Sequence, residues 1–148
     1  NDFFLIFFFF LMQNLRIMKE LRAYFESKGE TLYMVSDDEA IKFLNGSIEY
    51  DFISCLRQIQ DRGIFNTLVE CCKPNKLGFD ITTDSEYEEE EFLHEKTKYK
   101  AIVSVDDEQE VDFTDYMFNQ GISLILLGHV TKGELRVDGE SYGFISEY

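Results

Sequence analysis

Short apolar runs, bounded by turn-forming residues, recur along most of this chain. Branched and aromatic residues dominate four of them, which is typical of β-strands. The predicted strands are Thr31–Val35, Leu77–Ile81, Tyr99–Val105 and Ile122–Val130. We expect these four runs to share one sheet.

A fifth run, Leu135–Val137, alternates with polar residues as a half-buried strand does. It follows Val130-Thr131 and a Lys132-Gly133 turn, a pattern that indicates two strands joined in a hairpin. Ile122 to Leu127 lacks such alternation, which predicts a strand buried on both faces. The fold is expected to close around this hairpin.

Apolar residues at spacings of three and four separate the predicted strands and indicate helices. The helical segments are Leu15–Phe25, 38–44, 48–72 with an interruption at Gly63, and the neighbourhood of 111–118. Pro74 and Asn75 end one helix, and Gly121 ends another. Residues 82–91 are acidic and predict an exposed loop or a helix start. The order predicts an α/β layered sandwich, with a mixed, mainly antiparallel sheet packed with helices.

Residues 3–12 are apolar without a break. Ten residues are too few to span a bilayer, which needs about 20 in a helix. An acidic start and no small-residue cleavage site argue against a signal peptide. Three interpretations stay open: a buried strand, a membrane or signal remnant, or an extension outside the domain. We prefer the third, with residues 1–14 as extension, residues 15–148 as one domain, and Met12 or Met18 as a natural start.

Composition narrows the choice of partners. The 148 residues are enough for one domain with its own core. A net charge of −15 argues against nucleic acid and anionic membranes as partners, because both would repel the chain. Three cysteines and two histidines, without a Cys-x-x-Cys spacing, argue against a zinc site. A reducing, cytoplasmic setting is the simplest interpretation.

The other residues that could act as catalytic groups or metal ligands are expected to have structural roles. His129 is expected to be a hairpin residue, and His94 lies in an acidic segment. The acidic residues from 86 to 91 lack the glycine turn and spacing of a calcium loop, which favours a solvated face. Cys71 and Cys72 are expected to pack in the core. None of these patterns predicts a metal site.

A family resemblance rests on several stretches of the chain. The stretches that carry it are Lys28–Val35, Gly63–Glu70, Leu77–Ile81, Tyr99–Val105, Leu127–Val137 and Ser141–Ile145. In this order they resemble the C-terminal domain of the aminoimidazole ribonucleotide (AIR) synthase-like superfamily. The resemblance is greatest to phosphoribosylformylglycinamidine (FGAM) synthase, an ATP- and glutamine-dependent ligase of purine biosynthesis that forms an amidine.

The functional motifs of that family are degenerate here. The family carries His-Asp-x-Ser-[Asp/Glu]-Gly-Gly-Leu before its central helix. The matching stretch retains only Asp61 and Gly63, while Arg57 replaces the histidine and Arg62 the first glycine. Of a second motif, Phe-Gly-Glu-Ser, only the glutamate has a counterpart. This is Glu95, and it matches only when the alignment is shifted by one residue. The resemblance therefore implies remnants of a substrate site at Asp61, Gly63 and Glu95, anion binding at Arg57 and Arg62, and no catalytic residue.

The family's enzymes combine this domain with an N-terminal domain that supplies metal ligands and much of the ATP site. A chain of 148 residues leaves no room for that domain. We therefore expect no ATP or magnesium to be bound by this chain alone. Its expected partners are another copy of itself or a chain carrying the ATP-binding domain. Three hypotheses stay open: a fragment or isolated domain of FGAM synthase, a non-catalytic binding or assembly module, or a remnant product without selected function.

Overall fold

The computed structural model describes residue 6, residues 23–46 and residues 53–148. The strands in these ranges are β1 (Thr31–Val35), β2 (Ile53–Gln58), β3 (Gly78–Ile81), β4 (Ala101–Val105), β5 (Ile125–Thr131), β6 (Glu134–Val137) and β7 (Glu140–Phe144). The α-helices are α1 (Asp38–Gly46), α2 (Ile64–Cys72), α3 (Glu89–His94) and α4 (Glu110–Asn119). Short 3-10 turns cover Lys73–Asn75, Asp107–Gln109 and Ile145–Glu147.

The seven strands form one mixed sheet in the order β2-β4-β1-β5-β3-β6-β7. Every neighbouring pair is antiparallel except β3 and β6, which are parallel. Strands β1, β2, β3 and β6 therefore run in the same direction and end at the same side of the sheet. We call that side the carboxyl edge.

Helices cover both faces of the sheet around β1 and β4. Leu32 and Met34 pack in a core with α2 and α3, whereas Tyr33 and Val35 pack in a second core with α1 and α4. Alternate side chains of one strand thus enter opposite cores, as the pleat requires. Strands β3 and β6 contribute to the first core alone, and Asp80 on the other face of β3 is exposed.

The predicted fold class is confirmed, and so are the main strands. Thr31–Val35 has the predicted bounds, while the other three predicted strands begin between one and three residues later. The residues predicted to end two of the helices also lie at helix ends. Gly121 has φ 73 after α4, and α2 passes through the turn containing Pro74 and Asn75 to Lys76, which has φ 56.

The predicted hairpin between β5 and β6 is wrong, because β3 lies between these two strands. The connection from Thr131 to Glu134 passes over the first residue of β3, Gly78. A Cβ atom on Gly78 would lie 2.3 Å from the carbonyl oxygen of Glu134, so only glycine leaves room for the crossing. The true hairpin joins β6 to β7 through Asp138-Gly139, whose φ values of 51 and 85 match a type I′ turn.

Two other predictions about particular segments are wrong. The spacing of Ile53, Leu56 and Ile59 suggested a helix, yet 53–58 is a strand that pairs with β4. Its buried Ile53 and Cys55 follow the period of two instead. Ile125 and Leu126 were expected to be buried but are 46% and 58% exposed.

Other predictions fall outside the described ranges. These are the interpretations of residues 3–12 and most of the helix expected over 15–25. Among the described residues, no helix is long and apolar enough to cross a membrane. Cys55, Cys71 and Cys72 are free and buried, in agreement with a packing role for Cys71 and Cys72.

Candidate functional site

Helix α2 begins at the carboxyl edge, immediately after the turn that follows β2. Gly63 precedes the helix with φ 90, a conformation that L side chains rarely adopt. The hydroxyl of Thr67 donates to the carbonyl oxygen of Gly63 at 3.1 Å and accepts from the amide of Gln60 at 3.3 Å. These bonds fix the turn containing Asp61 and Arg62 to the first turn of α2.

Gly63 also packs directly against the end of α3. A Cβ atom there would lie 2.4 Å from the carbonyl oxygen of Leu93 and 2.7 Å from the Cα atom of His94. Glu95 follows His94, and its amide donates to the carbonyl oxygen of Glu91 at 3.0 Å. The remnants of the two motifs, separated by some thirty residues in sequence, therefore meet at one point of the fold.

An aromatic cluster lies beside this point. The ring of Phe65 is 5.6 Å from that of His94, 5.7 Å from Tyr142 and 5.8 Å from Tyr148. The hydroxyl of Tyr142 donates to the carboxylate of Glu89, and this bond raises the pKa of Tyr142 to about 12. The sequence placed His94 in an acidic segment and gave no signal for its ring contact, which arises between residues distant in sequence.

The two candidate arginines have different surroundings. The guanidinium of Arg57 is 2.6 Å from the carboxylate of Glu70 and donates to the carbonyl oxygen of Ala23 at 3.0 Å. Arg62 lies in the exposed turn before Gly63, and no ion pair involving it occurs within the described ranges. Arg57 is thus already paired, whereas Arg62 is exposed two residues before the first residue of α2. Asp61 is exposed in the same turn.

A second polar network holds the loop between β3 and α3. The amide and hydroxyl of Thr83 donate to the carboxylate of Asp138 at 2.9 and 2.7 Å. The hydroxyl of Tyr99 donates to Asp84 at 2.5 Å, and this bond is the main reason why the pKa of Asp84 is lowered. Lys98 lies 2.9 Å from Glu86. The loop is thereby tied to the β6–β7 turn and to the start of β4.

No cluster of three or more histidine, cysteine, aspartate or glutamate side chains suited to a metal ion occurs among the residues that the structure describes. The acidic residues from 86 to 91 include Glu89, which accepts from Tyr142, and Glu86, which pairs with Lys98. These contacts serve the packing of the loop and of α3.

Comparison with known proteins identifies the fold. No family model and no curated protein matches this chain. Among solved structures, phosphoribosylformylglycinamidine synthase II from Thermotoga maritima matches with a TM-score of 0.61 at 10% identity, over 83% of this chain and 25% of that one. Thiamine-monophosphate kinase from Stenotrophomonas maltophilia K279a gives 0.58 at 12%, over 82% and 54%. A HypE–HypF complex gives 0.58 at 19%, over 83% and 54%.

The chain has an AIR synthase-like fold. The shared architecture is the seven-stranded mixed sheet with its helices. The chain spans about a quarter of the FGAM synthase chain and about half of each of the other two. At these identities the likeness establishes the fold.

Proposed function

We propose that this chain is a fragment or isolated C-terminal domain of an FGAM synthase-like protein. Such a protein is a ligase that uses ATP and glutamine to form an amidine. The observation that carries this proposal is the match of 83% of the chain to an FGAM synthase of known structure. The contact of Gly63 with Leu93 and His94 supports it, because it brings together the two segments where the family resemblance predicts ligand contacts.

The start of α2 is the proposed binding point for an anionic group of the ligand. The N-terminus of a helix favours negative charge, and Arg62 adds a full positive charge beside it. We assign Asp61, Gly63 and Glu95 to the substrate-binding remnant. Arg57 is the weaker anion-binding candidate, because its charge is balanced by Glu70.

We further propose that the chain does not catalyse the reaction alone. The chemistry requires phosphate oxygens held by metal and backbone donors while an amide oxygen is activated. The arginine at the position of the family histidine cannot act as a base, since a guanidinium remains protonated at physiological pH. ATP and magnesium would be supplied at a site completed by a chain that carries the ATP-binding domain.

Calorimetry and a phosphate-release assay test this proposal. The chain is titrated with magnesium-ATP and with formylglycinamide ribonucleotide, and turnover is then measured. We expect weak binding of formylglycinamide ribonucleotide through its phosphate, lost in Arg62→Ala, no binding of magnesium-ATP, and no turnover. Arg136→Ala is the matched control, because Arg136 is partly exposed and pairs with Glu134 at 3.2 Å on β6. Turnover by the purified chain that disappears in Asp61→Ala or Glu95→Ala would overturn the proposed inactivity.

A second candidate function is a non-catalytic binding or assembly module. Two observations favour it. One of the similar structures is a complex of two proteins, HypE and HypF. In addition, Ile125 and Leu126 present apolar side chains at the surface of the sheet. The test is the affinity of the chain for a partner protein. If the Arg62→Ala and Glu95→Ala variants bind that partner as tightly as the parent chain does, the second function is favoured over the first.

A further inference from the structure

Two of the buried cysteines face each other across the contact between β2 and α2. Cys55 lies in β2 and Cys71 in the last turn of α2. Leu56 packs in the core of α1 and α4, so its neighbours Cys55 and Arg57 point to the opposite face of the sheet, where α2 lies. The thiol of Cys55 donates a hydrogen bond to the sulfur of Cys71. The fold thus pairs two free thiols that are distant in sequence.

An ion pair holds the strand and the helix together beside these thiols. The guanidinium of Arg57 lies 2.6 Å from the carboxylate of Glu70, the residue before Cys71. It also donates to the sulfur of Cys71. Because Arg57 follows Cys55 by two residues on the same face of β2, this pair helps to fix the separation of the two cysteines. The side chains of Arg57 and Glu70 are 27% and 41% exposed, so the group that contacts the Cys71 sulfur reaches water.

The surroundings of Cys71 favour its thiolate, which is the reactive form of cysteine. The hydrogen bond from Cys55 and the positive charge of Arg57 lower the pKa of Cys71, although its burial acts in the opposite direction. Cys72, the next residue, lacks this advantage, because burial raises the pKa of its thiol. Cys71 is therefore the expected nucleophile, and the Cys55 thiol is already in contact with it.

We propose that Cys55 and Cys71 form a reversible disulfide, linking β2 to α2, when the chain is exposed to hydrogen peroxide. The Cys71 thiolate attacks one peroxide oxygen, the O–O bond breaks, and the other oxygen leaves as hydroxide, which takes up the proton lost by Cys71 and becomes water. The sulfur of Cys55 then attacks the sulfenic acid of Cys71, and the S–O bond breaks as the S–S bond forms. The departing hydroxide takes the proton of the Cys55 thiol, which gives a second water. The two sulfurs lose two electrons in total, and the peroxide gains them.

Cys72 is a matched control, since it is buried beside Cys71 in the same helix. Adjacent Cα atoms lie about 3.8 Å apart, which is closer than the usual spacing of about 4.4–6.8 Å in a disulfide. A bond between Cys71 and Cys72 is therefore disfavoured. Neighbouring residues on a helix also point in different directions, so Cys72 does not share the contact of Cys71 with Cys55.

Oxidation of the full, folded chain tests the proposal. The reduced chain is treated with hydrogen peroxide, then unfolded and alkylated, and its intact mass is measured. We expect one alkylated cysteine instead of three, together with a loss of two hydrogen atoms that dithiothreitol reverses. A tryptic map should join the peptide of Cys55 to the peptide that holds Cys71 and Cys72. This map is made on the parent chain and needs no variant.

Variants identify the bonded thiols. Cys72→Ala should leave the disulfide intact, whereas Cys71→Ala and Cys55→Ala should abolish it, and urea unfolding of each reduced variant checks that it is folded. The proposal is overturned by three alkylated cysteines in the parent chain after peroxide, by added oxygen atoms in place of the disulfide, or by a disulfide that persists in Cys71→Ala. A joined peptide that forms as fast when the parent chain is oxidised in urea would also overturn it, because the fold would then not be what pairs the thiols.

Discussion

The guanidinium of Arg57 lies 2.6 Å from the carboxylate of Glu70 and 3.0 Å from the carbonyl oxygen of Ala23. One side chain thus links the end of β2 to α2 and to the segment that precedes β1. Asn66 donates to the same carboxylate at 3.3 Å. Arg57 therefore has a structural role in this chain. For this reason our proposal assigns anion binding to Arg62 before Arg57.

A double-mutant cycle on Arg57→Gln and Glu70→Gln should show a coupling of about 1 kcal/mol in the free energy of unfolding. Both side chains are partly shielded, at 27% and 41% exposed, so solvent screens the pair incompletely. The control pair is Glu39 and Lys42, at 4.0 Å and with both side chains about four-fifths exposed. Its coupling should be near zero. Equal coupling in the two cycles, measured by urea unfolding, would contradict this prediction.

Gly63→Ala should destabilise the chain by roughly 3 kcal/mol or more, because it combines a strained φ with a backbone clash. The added Cβ would lie 2.4 Å from the carbonyl oxygen of Leu93, which cannot move without shifting α3. Gly121→Ala is the matched control, with φ 73 but no atom within 4 Å of the added Cβ. It should lose about 1 to 2 kcal/mol from the strain alone. Similar unfolding free energies for both variants would show that α3 does not pack against Gly63.

The sequence predicted the strands well where local pattern and environment agree. Thr31–Val35 is buried throughout, and its branched and aromatic residues all favour a strand. The hairpin error has a different origin. Lys132-Gly133 is a short connection, and nothing near it signals that β3, some fifty residues earlier in the chain, is inserted between the strands that it joins. Pairing of that kind depends on long-range packing of Phe79 and Leu135 in the core.

The candidate site was predictable only in part. The resemblance indicated Asp61, Gly63 and Glu95, and the positive φ of Gly63 is consistent with a required glycine. The contact of Gly63 with α3, the ring of His94 beside Phe65, and the pairing of Arg57 with Glu70 are tertiary features without a local signal. The exposure of Ile125 and Leu126 was missed for a related reason. An apolar run does not reveal whether another element covers it.

The apolar residues 3–12 lead to a prediction about association. Ten consecutive apolar residues would favour contact between copies of the chain wherever they are exposed to water. The full chain should therefore be oligomeric or prone to aggregate, and a chain starting at Met12 or Met18 should be less so. Light scattering at several concentrations measures this. A monodisperse monomer from the uncut chain would count against the prediction.

Glu30 offers a test of the segment that enters β1. The side chain is 2% exposed, and its Oε1 accepts from the amides of Glu26 and Ser27, each at 2.9 Å. Its Oε2 and the hydroxyl of Ser104 are also buried. Burial raises the pKa of Glu30, and hydrogen bonding from the amide of Ser27, the side chain of Ser104 and the amide of Glu26 offsets only part of that rise. The folded chain therefore favours the neutral acid more than the unfolded chain does.

The sign of the pH dependence follows from that raised pKa. Below the pKa of the unfolded chain, about 4.3 for glutamate, the carboxyl is neutral in both states and the fold bears no penalty. As pH rises through the higher pKa of the folded state, ionisation of the buried group lowers the free energy of unfolding. Glu30→Gln keeps an acceptor for the amides of Glu26 and Ser27 and cannot ionise. We expect this variant to match the parent chain in urea unfolding at pH 4 and to be the more stable of the two at pH 7. Glu39→Gln, at an exposed position, should differ from the parent by less than about 0.5 kcal/mol at both pH values. A gain in Glu30→Gln that is constant with pH, or a loss that grows as pH rises, would show that Glu30 is ionised in the folded chain without penalty.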